Sequence, residues 1–92
     1  MSDRTDKPVS NTLIRETILA QTGERGTDKS ICPSEVARAL ATEWQGLMSR
    51  VRREAVVLMQ EGAIDILRKG KPVPAEEVRG VIRLRRRAAP QD

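Results

Sequence analysis

The chain of 92 residues has no histidine, tyrosine or phenylalanine, a single cysteine, and one aromatic side chain, Trp44. Without histidine the commonest general base is missing, and with it every Ser–His or Cys–His nucleophilic pair. A lone Cys32 can form no intrachain disulfide and, with no histidine beside it, no four-ligand zinc site. Catalysis would have to rest on a carboxylate, a lysine or the thiol, so we expect neither an enzyme nor a cofactor. Long apolar runs are missing too: none approaches the roughly 18 to 20 residues of a membrane helix. The polar start "MSDRTDKPVS" lacks the apolar stretch of a secretory signal. A cytoplasmic protein without membrane contact is the expectation. One aromatic residue cannot build a ladder of stacked bases, which favours duplex DNA over single strands as a nucleic-acid partner.

Apolar residues make up 38% of the chain and charged ones 33%, the balance of a globular domain rather than a disordered segment. The length suits one domain with one core. Charge is unevenly spread. Met1–Leu67 holds 9 basic against 10 acidic residues, giving −1, whereas Arg68–Asp92 holds 8 against 3, giving +5. That asymmetry points to a polyanionic partner, although basic ends also serve solubility alone.

Apolar spacing predicts a helix from Thr12 to about Thr22, with Leu13, Ile14, Ile18 and Leu19 on one face, Ser10 as N-cap and Val9 stapled to Ile14. "GERGTDKS" then reads as a loop, and Ile31 as a very short strand. Pro33 suits the first position of a second helix to about Ala41, with Glu35 at its positive end and Val36, Ala37 and Leu40 inward. Thr42 and Gln45 have capping-box spacing for a third helix over about Glu43–Glu61. Its inner face is Trp44, Leu47, Met48, Val51, Ala55, Leu58 and Met59, and Gly62 stops it. Two strands follow, "AIDILR" and "VIRLRR", with Ile64, Ile66, Ile82 and Leu84 in alternation. Between them "KGKPVPAEEVRG", rich in Gly and Pro, is expected to protrude as a loop rather than to turn tightly. Helix, short strand, helix, helix, strand, loop, strand is the order of a winged helix. We therefore expect a mainly α fold with a small antiparallel β wing (α+β), a helix-turn-helix domain over residues 10–86, and flexible tails at 1–9 and 87–92.

"ICPSEVARAL", the Trp44–Ala55 pattern, "EGAIDILRKGKPV" and "GVIRLR" together make the chain similar to the small bacterial proteins grouped as domain of unknown function 3253. The resemblance spans about Leu13–Arg85. It implies a winged-helix-like fold in a bacterial protein and no established activity. One departure is Val81 after Gly80, where the family pattern has proline; a strand can start at either residue.

In a winged helix the third helix enters the major groove. Its outward residues would be Gln45, Ser49, Arg50, Arg53 and Gln60, with Arg52 at the margin. Gln pairs with adenine and Arg with guanine through two hydrogen bonds, so Gln45, Ser49, Arg50 and Arg53 form a usable reading face. The helix carries no net charge, however, and a solvated face with an Arg50–Glu54 pair is the plainer alternative. Arg68, Lys69, Lys71 and Arg79 surround the wing and would hold phosphates, with Arg83, Arg85, Arg86 and Arg87 extending the patch. Five such contacts give log K a slope of about −4 to −5 against log salt. The alternative is that Glu76 and Glu77 neutralise the loop and the last arginines are merely solvated. Trp44 is expected to pack at the helix-turn-helix junction. Cys32 sits where a helix start can activate a thiol, but with no base or resolving cysteine in view, burial as a small apolar group is the stronger reading. Double-stranded DNA is thus the expected partner of a regulator or accessory factor. The other reading is a protein-interaction module on the same scaffold.

Overall fold

The computed structural model of the chain describes residues 9–88. Except for Val9, Arg87 and Ala88, the expected tails lie outside these residues. Helix α1 covers Asn11–Arg25, and Ser10 caps it by accepting the Leu13 N–H at 3.0 Å. Val9 is half-buried against the core and Ile14 fully buried, the positions of a hydrophobic staple.

The helix runs three residues beyond the expected end, through Gly23, before Gly26 at φ +87° terminates it. A glycine costs a helix up to about 1 kcal/mol relative to alanine. Here it clears a notch: a Cβ on Gly23 would lie 2.8 Å from a guanidinium nitrogen of Arg86. That guanidinium donates to the Leu19 carbonyl and approaches the Thr22 hydroxyl at 3.4 Å. The last turn of α1 is thereby tied to the last strand.

Helix α2, Pro33–Leu40, has proline at its first position, as expected. The Glu35 carboxylate accepts the Cys32 N–H at 3.0 Å, satisfying one of the free donors at the helix start, and also pairs with Arg25 at 3.0 Å. The long third helix predicted over Glu43–Glu61 is instead a 3-10 turn, Trp44–Leu47, followed by α3, Met48–Gln60. No capping box forms at its start, because the cap position falls on Glu43, whose side chain makes no cap hydrogen bond. The tighter turn places residues three apart on one side, so that Trp44 and Leu47 both reach the core.

Three strands form one antiparallel sheet: β1 (Ile64–Arg68), β2 (Lys71–Pro72) and β3 (Arg83–Arg86), in the order β2-β1-β3. Ile31 adds a bridge beyond β3, exchanging two backbone hydrogen bonds of 2.8 Å with Leu84. The expected open loop after β1 is the main correction. The chain reverses at once through Lys69 (φ +53°) and Gly70 (φ +82°), pairs Arg68 with Lys71, and only then makes the long return through a short 3-10 turn at Ala75–Glu77. Two successive positive φ angles are what a two-residue hairpin on twisted strands requires, and lysine supplies the first of them.

The inner face of the sheet, Ile64, Ile66, Ile82 and Leu84, is buried with Ile14 and Ile18 of α1, Val36 of α2 and Val51, Ala55 and Leu58 of α3. The result is an α+β, winged-helix-like arrangement. Because Lys69 already bears the left-handed conformation, Lys69→Asn should leave urea stability within about 0.5 kcal/mol or raise it. Gly70→Ala should lower stability by about 1–2 kcal/mol. Equal effects of the two substitutions would contradict the turn.

Candidate nucleic-acid interface

Seen from α3, the outward residues fall into two groups. Gln45, Ser49 and Arg53, spaced by four, form an exposed stripe with no hydrogen-bond or ion-pair partner among the described residues. Arg50 is different: it is half-buried, and its guanidinium donates to Asn11 Oδ1 at 2.8 and 3.2 Å and to the Val9 carbonyl at 2.6 Å. It pins α3 to the start of α1 and is not free to read a base. The alternative Arg50–Glu54 pair is not formed either. Glu54, 8% exposed, faces Arg15 at 3.5 Å, and Arg15 also lies 3.8 Å from Glu61.

The wing is built from the ends of β1 and β2 and from the return segment. Arg68 closes β1, Lys69 occupies the turn, Lys71 opens β2, and Arg79 precedes Gly80. Lys69, Lys71 and Arg79 are exposed and Arg68 half-buried. Among the described residues none of these four cations has an ion-pair partner, and Glu76 and Glu77 of the 3-10 turn take part in no ion pair. Arg52 of α3 donates to the Gly80 carbonyl, which joins the return segment of the wing to the helix carrying Arg53.

The arginines expected to extend the patch are engaged within the fold. Arg83 donates to Ser30 Oγ at 2.7 Å and to the Ser30 carbonyl at 3.0 Å. Arg85 and Arg87 share Asp65, at 3.0 and 3.5 Å. Arg86 is held against α1, as described above. No sequence spacing signals these contacts, since they join residues 20 to 67 positions apart. Gly23 was the one available hint, and it reads as a helix terminator.

Trp44 is half-buried against the core, with the Arg38 guanidinium stacked 4.7 Å from its ring centre. Cys32 is a half-buried free thiol whose sulfur accepts from Ser34 Oγ at 3.2 Å. Among the described residues no group of three or more Cys, Asp or Glu side chains is placed to hold a metal ion, and no helix is long and apolar enough to cross a membrane.

Three helices, a bridged three-stranded antiparallel sheet and a hairpin beside the third helix define a winged-helix-like α+β protein. The family described as protein of unknown function (DUF3253) matches residues 11–87, which cover both the helices and the wing, and the chain belongs to it. No curated protein matches the chain.

The two arginines of α3 should separate in a stability measurement. Arg50→Met removes hydrogen bonds to Asn11 and Val9 and should cost about 1–2 kcal/mol in urea unfolding followed by Trp44 fluorescence. Arg53→Met should stay within about 0.5 kcal/mol of the parent.

Proposed function

We propose that this is a non-enzymatic, cytoplasmic DNA-binding protein, a regulator or accessory factor, which docks on duplex DNA with α3 facing the major groove and the wing along the backbone. The observation that supports this reading is how the fold distributes its cations. Arginines 15, 25, 50, 52, 83, 85, 86 and 87 each hold a partner within the fold, and Arg38 stacks on Trp44. Among the described residues Lys29, Arg53, Arg68, Lys69, Lys71 and Arg79 do not; Lys29 lies on the loop before α2, and the other five lie on α3 and the wing, which Arg52 links.

On this reading Arg68, Lys69, Lys71 and Arg79 contact phosphates and set register without choosing sequence. Gln45, Ser49 and Arg53 face the bases. One module of this kind buries about 600–1,000 Å² of protein surface, so high specificity would require a dimer or a partner. The second reading is a protein-interaction module. It draws on the thin charge of the α3 stripe, where, of Arg50, Arg52 and Arg53, Arg53 alone is not held by a partner among the described residues.

Binding of labelled random duplex, followed by anisotropy from low to physiological salt, decides between them. Four wing contacts predict a slope of log K against log salt of about −4. Changing Lys69 and Lys71 together to Ala should weaken binding to every sequence and flatten that slope by about 2. Arg53→Ala should instead change the preference at one base position by about 1–3 kcal/mol. Absence of binding at low salt would remove the DNA reading. Affinity for an acidic protein surface that depends on Arg53 but not on the wing would support the interaction module.

A further inference from the structure

Beside the wing lies an apolar feature that phosphate binding does not use, although two of the phosphate-facing cations border it. Leu67 pairs with Arg83 across β1 and β3, and Val81 lies in the bend two residues before β3 begins. Val81 is 88% exposed, whereas the other exposed large apolar residue, Leu13, is 41% exposed. Leu67 and Val81 line a cleft of about 480 Å³ together with Ser30, Arg68, Lys69 and Arg83. Its walls combine apolar surface with three cations, and among the described residues no carboxylate lines it. The Arg83 wall is held in place by two hydrogen bonds to Ser30.

A duplex is too broad to enter a concavity of this size, and a phosphate offers nothing to cover Val81. A peptide does both when an apolar side chain is flanked by carboxylates: the side chain displaces water from Val81 while the carboxylates meet Arg68, Lys69 and the remaining N–H groups of Arg83. We propose that this cleft, which shares Arg68 and Lys69 with the DNA-facing surface but adds the exposed Val81, docks an acidic peptide segment of a partner protein through one apolar anchor residue. Charge complementarity selects the class of partner, and the exposed valine selects the anchor.

The test is a methyl-resonance titration of the full chain with a short peptide of alternating leucine and glutamate. Control peptides are all-glutamate and alternating leucine and glutamine. The alternating leucine–glutamate peptide should shift the Leu67 and Val81 methyls and bind at least fivefold more tightly than either control. Val81→Ser, a change at an exposed position, should weaken it about fivefold while leaving random-duplex binding unchanged. Equal affinity for the three peptides, or indifference to Val81→Ser, would overturn the proposal. If Val81→Ser weakened the duplex instead, the cleft would belong to the nucleic-acid surface and the peptide assignment would fail. Lys69 lines the cleft as well as the phosphate-facing surface, so the Lys69 and Lys71 variant should weaken both ligands, and Val81→Ser is the change that separates the two readings.

Discussion

The structure depends on burying the inner face of the sheet. With no phenylalanine or tyrosine in the chain, the core is built from aliphatic side chains, and Ile64, Ile66, Ile82 and Leu84 supply its floor. Each buried side chain of this size stabilises the fold by about 1.5–3 kcal/mol. Because β1 is central, pairing with β2 on one side and β3 on the other, its register is fixed from both edges. A slip of one residue would turn Asp65 into the core and Ile64 and Ile66 outward. Asp65 lies on the outer face instead, between Arg85 and Arg87.

That constraint also governs the charges. A small core leaves long seams between elements, and arginines close them: Arg86 against the end of α1, Arg50 across α1 and α3, Arg83 on the loop before α2, and Arg52 between α3 and the wing. The stems of such side chains cover apolar surface while their guanidinium groups donate to oxygens of the neighbouring element. Positive charge in this protein is therefore mostly structural. Apart from Lys29 on the loop before α2, the cations left over among the described residues lie on the α3 stripe and the wing, with no seam to close, which is why the functional reading rests on them and not on the total of +4.

Much of the fold was legible because it rests on local signals. Ser10, Pro33 and Gly62 punctuate the helices where expected, and the alternation of Ile64, Ile66, Ile82 and Leu84 identified the inner face of the sheet. Even the single bridge at Ile31 was expected, as a very short strand between the first loop and α2. What failed depended on tertiary partners. Gly23 reads as a stop until Arg86 is seen to need its notch, and Lys69 hides a tight turn because its positive φ has no residue-type signal such as Asn would give. Within the candidate site, the wing cations were legible from charge run alone. The internal role of Arg50 was not, because its partners lie 39 and 41 residues away.

The most direct measurement is an amide-shift map of the full chain titrated at low salt with random duplex DNA. Shifts at Ser49, Arg53, Lys69, Lys71 and Arg79, with Arg85 and Arg87 on the outer face of the sheet unmoved, are the predicted result. Shifts centred on Arg83, Arg85 and Arg87, or none at all, would contradict the view that the cations unclaimed by the fold are the ones that meet the partner.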